Sequence, residues 1–318
     1  MKCTRHLVVI ASLFIWSCQS RQSDKEPVIV YHDKDTTSNY YLALHPQIEP
    51  KGLLVVLPGF SSRPADVLKE TDLPAKSQSD GYLVVIPCLA ERTFYTDSLS
   101  QDRLATLLQA LSIKYNIPES RLILGGHSAG GNGALLYAER AFSEGQRDLM
   151  KPAAVFAVDP PMDMERLWQL FTYLDRINYN EVSSEEARYF LKRFQTELGG
   201  TPAEVPDRYR AISSFSRDAE NGGGLQYLKD IPVRLYCDAD LQWYIEERRL
   251  PVEYANVSDL SASIVQLLLL GNERAELINS PGKGHLTDGR RHPHAFSQLD
   301  ANEFLIWANS LMRYGDNP

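Results

Sequence analysis

The chain has 318 residues, 33 Lys+Arg against 41 Asp+Glu, a formal net charge of −8 and 43% apolar residues. That apolar share excludes a disordered chain. The acidic balance, with no basic run beyond Arg248-Arg249 and Arg290-Arg291, argues against nucleic acid or an anionic membrane surface, which need clustered Lys and Arg. Cys3, Cys18, Cys88 and Cys237 lie far apart, so neither a disulfide scaffold nor a zinc spacing is present.

The first residues read as an address. Lys2 and Arg5 precede an uncharged run of ten residues, Leu7 to Trp16. A spanning helix needs roughly 20, so residues 1–17 are expected to be a signal peptide. Ile15-Trp16-Ser17-Cys18 resembles a bacterial lipobox. That resemblance implies a lipid on Cys18 as the chain's membrane attachment, with the folded part at the bacterial cell envelope, in the periplasm or at the cell surface. A plain secretory signal with a fortuitous cysteine is the alternative. Residues 18–27 then form a polar tether. Cys88 and Cys237 each end an apolar run and are expected to be buried thiols rather than a bridge.

From there the pattern alternates strand and helix, which predicts an α/β domain over 28–315 with a mostly parallel sheet and helices on both faces. Val28–Tyr31 and Tyr40–Leu44 suggest an opening antiparallel hairpin. Leu53–Leu57, Tyr82–Ile86, Leu122–Leu124, Ala154–Val158 and Val233–Tyr236 are continuous apolar runs, as strands covered on both faces should be. The clearest helix is expected from Ser98 to Tyr115, with Ser98-x-x-Gln101 as a capping box and Pro118 as its stop. Between about 164 and 230 no strand signal occurs. Helical patterns at Glu165–Leu174 and Glu185–Leu198 suggest a lid inserted above the sheet, its aromatics packing mainly on one another, with Asn221–Gly224 as a flexible joint. Asp259–Leu270 reads as a mostly buried helix stopped at Gly271-Asn272.

The informative motif is Gly126-His127-Ser128-Ala129-Gly130, a G-x-S-x-G between the strand at Leu122–Leu124 and a helical stretch from Ala134. In that setting it reads as a nucleophile elbow: Ser128 on a sharp strand-to-helix turn, small neighbours permitting the turn, and a helix N-terminus aimed where an oxyanion would form. His127 is expected to pack or hydrogen-bond with its ring turned away from Ser128.

On these residues the chain resembles the α/β-hydrolase superfamily. The resemblance implies a Ser–acid–His order along the chain. The acid is expected after the strand ending at Tyr236, where Asp240 stands three residues before Trp243; Asp238 and Asp159 are the competitors. The histidine is expected after the last strand, Glu276–Asn279, where glycines lead to His285; His292 and His294 follow closely. That last pair also invites a metal reading, a weak one without a carboxylate or cysteine at ligand spacing. The oxyanion donors implied are the N–H groups of Ala129 and of Phe60, in the loop Pro58-Gly59-Phe60.

The chemistry implied is hydrolysis of a small-molecule or glycan ester through an acyl-enzyme, with no metal or organic cofactor required. A serine peptidase of the prolyl-oligopeptidase kind shares the fold, but the residues before Val28 cannot hold its propeller. A silent hydrolase fold serving as a binding module is the third possibility. Phe60, Cys88, Pro161 and Trp243 are expected near the pocket. Oligomeric state is not legible.

Overall fold

The computed structural model describes residues 26–32, 37–90 and 92–315. The expected signal peptide, Cys18 and most of the tether lie outside the described residues. Eight strands form one sheet: β1 (Val28–Tyr31), β2 (Tyr40–Leu44), β3 (Gly52–Leu57), β4 (Tyr82–Cys88), β5 (Leu122–His127), β6 (Ala154–Val158), β7 (Val233–Cys237) and β8 (Ala275–Asn279), in the order β1-β2-β4-β3-β5-β6-β7-β8. The β1–β2 and β2–β4 pairs are antiparallel and all others parallel. The architecture is the one the sequence implied.

The apolar runs account for the sheet's place at the centre. Along β3, Leu53, Val55 and Leu57 enter one buried cluster while Leu54 and Val56 enter the other. Each such side chain contributes about 1.5–3 kcal/mol by leaving water. On the second face lie α1 (Pro64–Glu70), α2 (Leu73–Ser79) and α10 (Ala301–Gly315), through Val67, Leu73, Phe304 and Trp307. On the first lie α3 (Ser98–Tyr115), α4 (Ala129–Phe142) and α9 (Asn256–Leu269).

Two local expectations shift. The cap of α3 is Asp97, whose carboxylate accepts from the Ser100 N–H, and Asn116 in the left-handed region closes the helix before Pro118. A carboxylate one residue earlier competes successfully with the Ser98 box. α9 is buried only on one side, through Leu260, Ile264 and Leu267, while Val265, Leu268 and Leu269 are exposed.

Between β6 and β7 lie α5 (Met164–Ile177), α6 (Glu181–Leu198), α7 (Pro206–Ala211) and a 3-10 segment (Glu220–Leu228). Asn221–Gly224 belongs to that packed segment: a Cβ on Gly224 would lie 2.2 Å from the buried Glu139 carboxylate of α4. The aromatics do more than pack on one another. Phe190 stacks on Phe171 (4.9 Å between centroids) and also meets Phe60 (5.0 Å) and Phe94 (5.4 Å) in the loops after β3 and β4. Buried Asp259 of α9 pairs with Arg166 of α5 and with Arg217, tying the insertion to the main domain. Cys88 and Cys237 are buried thiols that form no disulfide; burial, with Asp159 and Asp238 nearby, pushes the Cys237 thiol up to about 12.

Candidate active site

At the end of β5 the chain turns sharply into α4. Ser128 sits at the turn with φ 53° and ψ −123°, a strained conformation for a residue with a Cβ. The strain persists because the surroundings determine it. A Cβ on Gly126 would lie 2.5 Å from the Leu57 carbonyl oxygen and one on Gly130 2.3 Å from it, so only glycine lets β5 and α4 approach β3 this closely. The Ser128 N–H donates to the Val158 carbonyl at 2.9 Å, fixing the elbow against β6.

Ser128 Oγ lies 2.9 Å from Nε2 of His294, and Nδ1 of His294 lies 2.5 Å from Oδ2 of Asp159. A carboxylate only accepts, so Nδ1 carries the proton and Nε2 is free to accept from the serine hydroxyl. Asp159 directly follows β6, is 2% exposed, and has a φ of 45°. Its N–H donates to the Tyr236 carbonyl (2.8 Å), and Asn256 Nδ2 donates to its carbonyl oxygen (2.9 Å) and approaches Oδ2 (3.4 Å). Burial opposes a charge on His294, but the hydrogen bond and charge of Asp159, with Glu186 adding, prevail and hold its pKa above the ordinary histidine value.

His127 packs and hydrogen-bonds, as expected. Its Nε2–H donates to the His294 carbonyl at 2.6 Å, and its ring stacks on Phe296. Burial, with His294 close by, pulls its pKa down to about 3, so it is neutral and serves as a fixed donor under the His294 backbone.

Asp240 and His285 are placed elsewhere. Asp240 caps α8 (Leu241–Arg248), accepting from the Trp243 N–H at 3.0 Å, and pairs with Arg291. His285 is exposed; its N–H donates to Ser297 Oγ and its Nδ1 faces the Lys283 carbonyl. The structure thus brings Ser128 together with Asp159 and His294, two of the weighed competitors, and corrects both expected partners.

The physical reason lies in how the loop after β8 lands. Asp238, its side chain fully buried, accepts from the N–H groups of Gly282 (3.1 Å) and Gly284 (2.8 Å) and from Arg291 Nη2 (2.7 Å). Arg291 Nη2 also reaches Asp240 Oδ2 (2.9 Å), and its Nη1 donates to the Gly284 carbonyl (2.7 Å). The segment from His285 goes out, turns at Gly289 and returns, bridging His285 to Arg291 and sending the His292 N–H to the Gly284 carbonyl. That excursion leaves His285 outside and delivers His294 to the serine. His292 stops short: its Nε2 accepts from Arg248 Nη2 at 3.0 Å, and burial with nearby cations lowers its pKa to about 4.

Phe60 follows Gly59, where a Cβ would lie 3.7 Å from Ser128 Cβ, so this loop abuts the elbow. Ala129 opens α4, and its N–H is among those left over at a helix start. Above Ser128 lies a cavity of about 370 Å³. Phe60 and Pro161 line it together with Phe94, Phe171 and Phe190; Cys88 and Trp243 do not. Among the described residues no group of three or more His, Cys, Asp or Glu could hold a metal ion.

No family model matches the chain, and no curated protein is close enough in sequence to count as a relative. Solved structures share the fold. One of two Rhizomucor miehei esterases superposes with a TM-score of 0.60 at 14% identity, over 91% of this chain and 84% of that one. A thermophilic esterase, Est2 of Thermogutta terrifontis, gives 0.55 at 13% over 92% and 94%. An S-formylglutathione hydrolase from Agrobacterium tumefaciens gives 0.52 at 15% over 89% and 94%. At these identities the likeness establishes the α/β-hydrolase fold.

Proposed function

We propose that this protein is a serine hydrolase of carboxylic esters, with Ser128 as nucleophile, His294 as general base and acid, and Asp159 as the residue that orients His294. The observation that carries the reading is the continuous hydrogen-bonded chain from Ser128 Oγ through His294 to Asp159 at a strained elbow. The fold is shared with proteins described as esterases, which supports the ester assignment.

Ser128 Oγ adds to the ester carbonyl as its proton passes to His294 Nε2. Asp159 stabilises the imidazolium without taking the proton. The N–H groups of Phe60 and Ala129 receive the oxyanion, each worth about 3 kcal/mol in the transition state. Collapse expels the alcohol, which takes the proton from His294. Water then attacks the acyl-serine by the same steps in reverse, releasing the acid and restoring Ser128. The serine proton passes between groups 2.9 Å apart, and no further group is needed to balance the reaction.

A fluorophosphonate probe tests this directly. Wild type should be labelled, and Ser128→Ala and His294→Ala should not, while His285→Ala labels as wild type. Unlabelled, folded wild type would sink the hydrolase reading and leave the binding-module alternative. Turnover of Gly-Pro amides in preference to p-nitrophenyl esters would instead favour a peptidase. We further propose that Cys18 carries the lipid that anchors the chain at a bacterial envelope; palmitate labelling unchanged in Cys18→Ala would exclude it.

A further inference from the structure

We propose that the substrates are esters bearing a cationic ammonium group, which Glu186 and the aromatic walls of the cavity recognise, a proposal that rests on the ester-hydrolase reading and names its substrate class. The first ground is charge. No Lys or Arg lines the cavity above Ser128; its ionisable lining includes Asp159, Glu186, His127 and His294. His127 is neutral, and Asp159 is occupied by His294 and Asn256. Glu186 is therefore the carboxylate left to meet a ligand. Its charge reaches the reacting centre, where it adds to that of Asp159 at His294 and is opposed by the more weakly acting Arg248.

The second ground is that the Glu186 side chain makes no ion pair or hydrogen bond among the described residues, and the arginines on its own helix and at the end of α8 are taken by others. On α6, Arg188 pairs with Asp175 and Arg193 with Glu197. Arg248 of α8 is held by Ser183 and His292, with its guanidinium over Trp243. Each cation has its own partner.

The third ground is the wall. Phe60, Phe94, Phe171, Phe190, Tyr244 and Tyr254 all line the cavity. Glu186 and Phe190 stand four residues apart on α6 and so share a helix face. Ring faces attract cations, most strongly weakly hydrated quaternary ammonium groups. Arg193 shows this at the cavity's edge, stacking 5.2 Å over Phe60 and 5.5 Å over Phe94 without entering the lining. One carboxylate among aromatic rings is a cation-selective arrangement, and a cavity of about 370 Å³ suits a small ester.

Two isosteric pairs test the proposal, one for each side of the scissile bond. The acyl pair is p-nitrophenyl 4-(trimethylammonio)butyrate and p-nitrophenyl 5,5-dimethylhexanoate. The alcohol pair is butyrylcholine and 3,3-dimethylbutyl butyrate. In at least one pair wild type should favour the cationic member in kcat/KM by about tenfold, a ratio that falls as salt rises. Glu186→Gln should bring that ratio towards one, and Glu186→Lys below it. Glu186 is exposed, so unchanged thermal unfolding can confirm that both variants fold. A wild-type ratio at or below one in both pairs, or a ratio that Glu186→Gln does not move, overturns the proposal. If wild type hydrolyses the neutral members through Ser128 under that outcome, the ester-hydrolase reading survives it. No turnover of any ester and no probe labelling would overturn both.

Discussion

Two loops at the same end of the sheet carry carboxylates, and they do different work. The loop after β6 gives Asp159, which touches the ring of His294. The loop after β7 gives Asp238 and Asp240, which touch the segment that carries His294 by gripping Gly282, Gly284 and Arg291. The first sets a tautomer and a charge; the second sets where the loop lies. A carboxylate at a strand end is thus not an orienting acid by position alone. What decides is which partner reaches it, and here Arg291 reaches both β7 carboxylates and holds them in ion pairs.

The largest effect should separate the loops most sharply. Asp159→Asn keeps the shape but offers His294 the wrong hydrogen-bond partner, and kcat should fall about 10⁴-fold. Asp240→Asn should cost less than about tenfold, because Asp240 is partly exposed and Arg291 keeps Asp238. Steady-state kinetics on one p-nitrophenyl ester measures both. Equal losses would erase the distinction between the loops.

Arg291→Met probes the second loop through stability. It strands Asp238, whose side chain is fully buried, without its counter-charge. Unfolding in urea should show a loss of about 3–5 kcal/mol. Where the variant still folds, kcat should drop up to about 100-fold as His294 loses its placement. Arg291→Lys should recover part of both losses, and a variant as stable as wild type would show that the grip is incidental.

The same contrast explains what the sequence could reveal. β3, β4, β5 and β6 are legible because strands covered on both faces must be apolar throughout. Ser128 is legible because the crowding at Gly126 and Gly130 is local, so the residues that permit the turn stand beside the serine. The acid and the histidine have no such local mark. Asp159, Asp238 and Asp240 all follow strands, and His285, His292 and His294 all follow β8. The choice among them depends on where Arg291 docks, a contact across 53 residues. Two signals were present in the chain: Asp159 directly follows the strand beside that of Ser128, and Pro293 favours the turn, closed by the Ala295 N–H on the His292 carbonyl, in which His294 sits. The cap of α3 was ambiguous for a simpler reason, since Asp97 and Ser98 are adjacent and both can cap.

The smallest effect lies in pH dependence, and it should follow the first loop alone. His294 must be neutral to accept the serine proton, and the fold holds its pKa above the ordinary value of about 6.5. The acid limb of kcat/KM should therefore lie above that value. Asp159→Asn removes the hydrogen bond and charge that raise it, so the residual activity should show a limb at lower pH. Asp240→Asn should leave the limb in place. Stability follows with opposite signs at the buried His127 ring and the half-buried His294 ring. The raised His294 contributes stability that is complete below the ordinary value and is lost as pH rises through its own. The depressed His127 contributes stability complete above about 6.5 and lost as pH falls towards about 3. Asp159→Asn should flatten the first dependence and leave the second, so unfolding free energies collected from pH 5 to 9 separate the two. A limb that moves with Asp240 rather than with Asp159 would return the orienting role to the β7 loop.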